Sequence, residues 1–460
     1  MKIHFIGIGG IGVSALAKYY LAQSLPAGGQ GWEVSGCDLV SSEITDQLKN
    51  MGVKIRIGAP DPACSAEADK IIYSPAVPRN NPEILNTKYQ ILSYPEALGE
   101  LTKEYFTIAV SGTHGKSTTT AMIGLLLTKA GLNPTVVVGT KLKEFNNSNF
   151  RMGGQPTKNY KLKTINYLVI EADEHFASFL NYWPKMIVLT TVEADHLDYW
   201  KTLQNLLKGF QKYISHLPPD GILVVNRDDK NIQRILISNS KFLISNVKNY
   251  SLKQPAAKKL REILKIPGEY NVSNALAALM VARTLKIPDA ASYAALSQYK
   301  GSWRRFETFT LRQAQGKPYT LVSDYGHHPT EVKVTVEAAR SKWSEKTLWL
   351  VFQPHQYQRT HYLWKDFVRV LSKLPVQKLI LTDIYDVAGR EDNAIRKKVS
   401  SEKLAKEIPN ALYIPTLKEV EAYLKKNLRG GEIVMVMGAG DIYNLTLHLT
   451  RELAKRKMKP

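Results

Sequence analysis

The strongest constraint on the fold lies between residues 106 and 130. The apolar run Phe106-Thr107-Ile108-Ala109-Val110 leads into Ser111-Gly112-Thr113-His114-Gly115-Lys116-Ser117-Thr118-Thr119-Thr120. A helix-forming stretch, Ala121–Ala130, follows and closes at Gly131. Strand, glycine loop ending in Lys-Ser, and helix in that order make a phosphate loop. Its backbone N–H groups cradle phosphate oxygens, the Lys116 ammonium neutralises the β and γ oxygens, and the Ser117 hydroxyl is placed for Mg²⁺. Gly112 and Gly115 stand closer together than in the commonest spacing of such loops. A chain with this loop is committed to a mainly parallel α/β sheet, with ligands at the carboxyl ends of its strands.

A second glycine turn opens the chain. Ile3–Ile6 reads as a strand, Gly7, Gly9 and Gly12 fit G-x-G-x-x-G, and a helix runs from Val13. Glycines there let the backbone approach a diphosphate, and the helix start offers free N–H donors. Gly9, Gly10, Ile11 and Gly12 are the candidate contacts. The strand Trp32–Gly36 ends at Asp38, an acid near the place where such folds grip a ribose. Taken alone, this turn fits a nicotinamide-dependent oxidoreductase as well as any other diphosphate binder.

Two acidic segments follow the phosphate loop. Tyr167–Ile170 reads as a buried strand that delivers Glu171-Ala172-Asp173-Glu174, and Met186–Thr191 delivers Glu193-Ala194-Asp195-His196-Leu197-Asp198. Carboxylate oxygens suit Mg²⁺, and imidazole is a less usual ligand. Ser117, Glu171 and His196 form the candidate metal shell.

A chain of 460 residues exceeds what one core holds, so two or three domains are expected. Strand-like and helix-like runs alternate for most of its length, with breaks near 105 and at Lys300-Gly301-Ser302. The polar stretch Lys141–Thr164 reads as a surface loop or short hairpin. Two cysteines, Cys37 and Cys64, exclude a disulfide framework or a zinc cluster. There is no apolar run of about 18 residues, so membrane insertion is not expected, and a cytoplasmic location is. The balance of 62 basic against 41 acidic residues favours polyanions. No nucleic-acid-binding signature accompanies it, and part of the charge lies in the tail Arg451–Lys457. Only weak, salt-sensitive nucleic-acid binding is expected, with no specific site.

These segments, together with Tyr73–Ile84, Asn271–Ala278, Arg304–Phe306, Asp324–Glu331, Phe352–Thr360 and Met437–Ile442, resemble in order the Mur ligase family, and most of all its alanine-adding branch. The resemblance spans nearly the whole chain. It implies an α/β protein of three domains. A Rossmann-like N-terminal domain (1–105) would bind the UDP part of the substrate. A central P-loop ATPase-like domain with a mostly parallel sheet (106–302) would bind ATP, and a Rossmann-like C-terminal α/β domain (303–460) the amino acid. The first glycine turn would then hold the UDP diphosphate and not a nicotinamide cofactor.

Carried over by motif, the resemblance implies catalytic roles for Lys116, Glu174, His196 and Arg359. Gly112, Thr113, His114, Gly115, Lys116, Ser117, Thr118, Asn271, Asn274, Arg305 and Asp324 would contact ATP. Asn271 and Asn274 have a local alternative, capping the Ala-rich helix that follows them. Ser117, Glu171 and His196 would serve Mg²⁺. Tyr325, His327, His355, Gln356 and Arg359 would line the acceptor and amino-acid site. The adjacent His327 and His328 lack a suitably spaced third ligand and are not read as a metal site. Tyr270 stands where relatives often place histidine. Gln356 stands where relatives commonly have arginine, and an amide cannot replace a guanidinium fork. A weaker grip on the amino-acid carboxylate is therefore expected, with a raised KM that Gln356→Arg would lower. The activity implied is ATP-driven joining of L-alanine to the carboxylate of UDP-N-acetylmuramate through an acyl phosphate, by a monomer or weak homodimer in peptidoglycan precursor synthesis. The alternative within the family is a ligase that attaches a preformed tripeptide.

Overall fold

The apolar runs become strands in three sheets. The structure, a computed structural model, describes residues 1–24, 31–85, 90–154, 165–237, 246–311, 317–387 and 392–457, with side chains described as far as Arg451. The first sheet contains β1 (Lys2–Ile6), β2 (Glu33–Asp38), β3 (Lys54–Ile57), β4 (Lys70–Tyr73) and β5 (Gln90–Ser93). Their order is β3-β2-β1-β4-β5, and every pairing is parallel.

The second sheet contains β6 (Phe106–Ser111), β7 (Thr135–Leu142), β8 (Ser148–Arg151), β9 (Tyr167–Ala172), β10 (Met186–Leu189), β11 (Ile222–Asn226) and β12 (Val247–Tyr250). Their order is β12-β11-β10-β6-β9-β7-β8, parallel except for the β7–β8 hairpin. The third holds β13 (Glu307–Leu311), β14 (Tyr319–Asp324), β15 (Leu348–Phe352), β16 (Lys378–Leu381), β17 (Ala411–Tyr413) and β18 (Ile433–Met437). Its order is β13-β14-β18-β15-β16-β17, with only β13 antiparallel. The central strands β6, β10, β15 and β18 are buried on both faces, which is why they read as continuous apolar runs.

The chain divides into two compact units. One holds the first two sheets, in Met1–Val192, Leu206–Ile263 and Ser273–Lys300. The other holds the third sheet, in Gly301–Pro460, with two excursions, Glu193–Asn205 and Leu264–Val272. Among the described residues no helix is long and apolar enough to cross a membrane.

Several sequence expectations shift. The helix after the phosphate loop begins at Lys116, not Ala121. Ser117, Thr118, Thr119 and Thr120 are buried in its first turns, so hydroxyl side chains occupy positions where an apolar pattern would have marked the helix. β9 runs on through Glu171 and Ala172, so Glu171 lies within the strand and not beyond it. The stretch from Lys141 is in part a hairpin, formed by β7 and β8 with Asn149 and Phe150 buried. Residues 155–164 lie outside the described residues, as do the side chains of the basic tail beyond Arg451. Cys37 and Cys64 are both free thiols.

That hairpin joins the first two sheets. Asn149 donates to the Ile11 carbonyl and to Ser14 Oγ (2.9 Å) on the helix Ile11–Gln23. Its Oδ1 accepts from Lys18 Nζ at 2.8 Å, and Ser148 Oγ lies 3.4 Å from the same ammonium. Lys18 is only 5% exposed. Burial, with Lys141 adding to it, pushes the Lys18 ammonium down to about 8 from its ordinary 10.5. A lysine depressed in the folded state costs stability below its folded value, and that cost is relieved as pH rises toward the unfolded value. Stability measured by urea unfolding should therefore climb between pH 8 and 10.5 more steeply in the natural protein than in Lys18→Met. Parallel pH curves would contradict this.

Candidate active site

β6 lies between β9 and β10, so its carboxyl end is flanked by the ends of both neighbours. The loop after it depends on two glycines with positive φ, Gly112 at 131° and Gly115 at 83°. A Cβ on Gly112 would lie 2.6 Å from the Thr191 carbonyl oxygen, and one on Gly115 would overlap Asn274 Oδ1. Thr191, which the sequence reading does not single out, accepts from Thr113 N–H through its carbonyl (2.7 Å) and from His114 N–H through its hydroxyl (3.1 Å). The amides left for phosphate are then those of the helix's first turn, Lys116 to Thr118, which have no partner within a helix.

The Lys116 ammonium is held over this loop. It donates to the carbonyls of Gly112 (2.7 Å) and Thr113 (3.3 Å) and to Glu174 Oε2 (2.9 Å), with Asp173 at 3.5 Å. Burial opposes its charge, but Glu174 and then Asp173 outweigh it and raise the Lys116 pKa. Glu174 is fully buried, and burial lifts its carboxyl above the usual range against the pull of Lys116.

Ser117 Oγ donates to Glu171 Oε2 at 3.1 Å, and Gly139 N–H holds Glu171 Oε1 at 2.5 Å. Two ligands at right angles around Mg²⁺ lie about 2.9 Å apart, given bonds of roughly 2.0–2.1 Å. The hydroxyl and carboxylate are hard oxygen donors at nearly that separation, so this pair fits the ion. His196 belongs to the other compact unit, where it starts a short helix, Leu197–Trp200, in a left-handed conformation (φ 51°). Asn271 and Asn274 lie inside the helix Glu269–Thr284, so neither caps it. Asn271 Nδ2 donates to the Pro267 carbonyl (2.6 Å), and Asn274 Oδ1 accepts from Thr119 Oγ1 (3.2 Å).

At the first glycine turn the helix starts at Ile11, with Gly10 as its cap. Asp38 Oδ2 accepts from Gly9 N–H at 2.8 Å. A side chain on Gly9 would collide with Asp38, and one on Gly12 with the Tyr94 ring. The acid expected to grip a ribose therefore shapes the turn itself.

In the second unit, Asp324 is also a turn-holder. Its two oxygens accept from Phe306 N–H (2.8 Å) and Gly326 N–H (2.7 Å), and burial raises its carboxyl. Arg305 lies 5.1 Å over the Tyr325 ring and 3.7 Å from Glu331. Tyr325, His327, His355 and Tyr385 form a row of rings, each centroid 5.5 Å from the next. Burial, then Arg359, lowers His327 to about 4, and burial keeps His355 neutral as well. His328 Nδ1 instead accepts from Thr330 N–H and caps the helix Pro329–Lys342.

Arg359, expected to face a carboxylate ligand, also has partners within the protein. Its Nε and Nη2 meet Asp195 at 2.9 and 3.4 Å, and its Nη1 meets Gln356 Oε1 at 2.9 Å and His355 Nδ1 at 3.3 Å. Burial alone would lift the Asp195 carboxyl, but Arg359 and then His196 hold it well below the usual range. The structure thus groups Lys116, Ser117, Glu171, Glu174 and Asn274 in one unit, and Arg305, Asp324, Tyr325, His327, His355, Gln356, Arg359 and His196 in the other.

Three family models match in order along the chain: Mur ligase family, catalytic domain (2–106), Mur ligase middle domain (110–282), and Mur ligase, glutamate ligase domain (304–440). A UDP-N-acetylmuramate–L-alanine ligase of Acetivibrio thermocellus is 36% identical over 96% of this chain and 94% of its own length. The same enzyme of Clostridium tetani is 35% identical over 96% of each chain. Among solved structures, the UDP-N-acetylmuramate–alanine ligase MurC of Thermotoga maritima shares the fold with a TM-score of 0.76 at 23% identity, over 99% of this chain and 100% of that one.

The Asp324 geometry makes a prediction. In Asp324→Asn the amide turns an N–H toward one of the two backbone donors, so one buried bond is lost. Unfolding in urea should show a loss of about 1–3 kcal/mol. Unchanged stability would mean that Asp324 is not needed for this turn.

Proposed function

The chain belongs to the Mur ligase family, and we propose that it joins L-alanine to the carboxylate of UDP-N-acetylmuramate, driven by ATP. One observation carries the chemistry. An ammonium held by Glu174 and two loop carbonyls stands beside a hydroxyl–carboxylate pair spaced for Mg²⁺. The choice of alanine is supported by near-full-length relatives that carry that activity in their names. They also favour a single small amino acid over the tripeptide alternative.

A carboxylate does not react with an amine at neutral pH, because oxide is a very poor leaving group. In the proposed reaction a carboxylate oxygen attacks the γ-phosphorus. The bond from that phosphorus to the bridging oxygen breaks, and ADP leaves with the electron pair. The alanine amine then attacks the acyl carbon, the C–N bond forms, and phosphate departs from the tetrahedral intermediate. Lys116 offsets negative charge on the phosphoryl oxygens. Ser117 and Glu171, with His196, would hold Mg²⁺, which would neutralise further oxygen charge when bound. Glu174 and His196 are the two candidates to take the ammonium proton. The turn Gly9–Gly12 would hold the UDP diphosphate through helix N–H groups. Residues 1–105, 106–302 and 303–460 would serve the UDP part, ATP and the amino acid respectively. A cytoplasmic monomer or weak homodimer completes the reading.

The test is ADP release with UDP-N-acetylmuramate against a panel of amino acids and the tripeptide. Release should require both acceptor and amino acid, with L-alanine best. A preference for the tripeptide would move the chain to the other branch, and absence of ADP would end the reading. Lys116→Ala should cut turnover at least about a hundredfold, the scale of losing one transition-state stabiliser. Affinity for the UDP-sugar acid should largely survive, and near-normal turnover would remove this loop from the mechanism.

A further inference from the structure

We infer that Gly139 is a positioning residue that sets which divalent cation the site accepts. It leaves room for the Glu171 carboxylate, donates to it, and so holds that group for Mg²⁺ in preference to Ca²⁺. This rests on the reading above, in which Ser117 and Glu171 hold the metal beside the nucleotide. Gly139, Glu171 and Ser117 all lie in one compact unit.

Gly139 is the one exposed position in β7, whose other residues are buried. A glycine inside a strand weakens it, and it often marks a place where another group comes close. Its φ is not positive, so the backbone conformation does not require glycine here. The requirement is one of space. A Cβ at this position would have the Glu171 carboxyl group as its three nearest atoms, Oε2 at 3.0 Å, Oε1 at 3.1 Å and Cδ at 3.2 Å. Contacts that short oblige the carboxylate to give way by a few tenths of an ångström.

The N–H of Gly139 is committed to the same carboxylate. β7 pairs with β9 over Thr135–Val137, and its register with β8 is irregular between Val137 and Leu142, so Gly139 stands outside both ladders. Its amide donates instead to Glu171 Oε1 at 2.5 Å, while Ser117 Oγ donates to Oε2 at 3.1 Å. Ser117 lies in the first turn of the helix that begins at Lys116. One oxygen is thus held by a strand and the other by the hydroxyl that would be its fellow ligand. Mg²⁺ demands near-ideal octahedral geometry with bonds of roughly 2.0–2.1 Å, whereas Ca²⁺ takes about six to eight oxygens at roughly 2.3–2.6 Å in flexible arrangements. A carboxylate fixed at both oxygens favours the ion that demands exact placement. One pushed aside by a methyl group loses that advantage.

The test measures the ADP affinity of the full chain by calorimetry, with Mg²⁺, with Ca²⁺ and with neither. In Gly139→Ala the gain in affinity that Mg²⁺ brings should fall about tenfold or more, the scale for disturbing a group that supports a metal ligand. The gain that Ca²⁺ brings should change by less than about threefold, because that ion tolerates displaced ligands. Metal-free affinity should stay that of the natural protein. The inference is overturned if the Mg²⁺ gain is unchanged, if both cations lose equally, or if the loss is already present without metal. Amide hydrogen exchange covers an Ala variant that fails to fold. In Glu171→Ala the Gly139 amide loses its acceptor and should exchange at least about tenfold faster than in the natural protein. Unchanged exchange there would equally overturn the inference. A natural protein whose ADP affinity responds to neither cation would sink the metal reading and this inference with it, whereas the other contrary outcomes leave that reading standing.

Discussion

Everything in the candidate site depends on the backbone path of one loop. Gly112 and Gly115 adopt conformations that other residues rarely tolerate, and both lie against atoms that leave no room for a Cβ. That path lets Thr191 hold the loop from the side of β10 and turns the first helical amides outward. The strand order does the rest. With β6 between β9 and β10, Glu171 and Glu174 arrive on one side of the loop and Thr190 and Thr191 on the other. The pairing of half-buried Lys116 with fully buried Glu174 is then a consequence of topology, and it aims the ammonium before any ligand arrives. Preorganised charge of this kind avoids reorganisation during the reaction.

A second theme is how many acids hold the backbone. Asp38 fastens the first glycine turn, Glu171 takes Gly139 N–H, and Asp324 ties Phe306 to Gly326. Glu331 accepts from His327 N–H and His328 N–H and so fixes the paired-histidine segment. The N–H groups that Asp38, Asp324 and Glu331 meet lie beyond a strand or before a helix, where secondary structure supplies no partner, whereas Gly139 lies within β7. Loops built this way are held to one shape, which a site assembled from strand ends requires. Asp195 extends the theme, since it joins Arg359 to the backbone of His196 within one compact unit.

The sheets were legible because parallel strands buried on both faces are written as short apolar runs, such as Ile108–Val110 and Tyr167–Ile170. The phosphate loop was legible because its chemistry demands glycines, a lysine and a hydroxyl in one stretch. The early start of the helix at Lys116 was hidden by four buried hydroxyl residues that break the apolar pattern. Roles set by distant partners were not legible either. Arg359 and Asp195 are 164 positions apart, and Thr191 meets His114 across 77. Asp38 and Asp324, read as ligand contacts, also accept from local backbone amides, a role that sequence spacing does not reveal.

The central claim is that the acid is activated by phosphorylation before the amine attacks. The most direct measurement uses UDP-N-acetylmuramate with heavy oxygen in its carboxylate, ATP and L-alanine, followed by mass analysis of the inorganic phosphate. The account predicts that one labelled oxygen passes from the carboxylate into each phosphate released. Phosphate that carries no label, alongside normal formation of the amide, would contradict it.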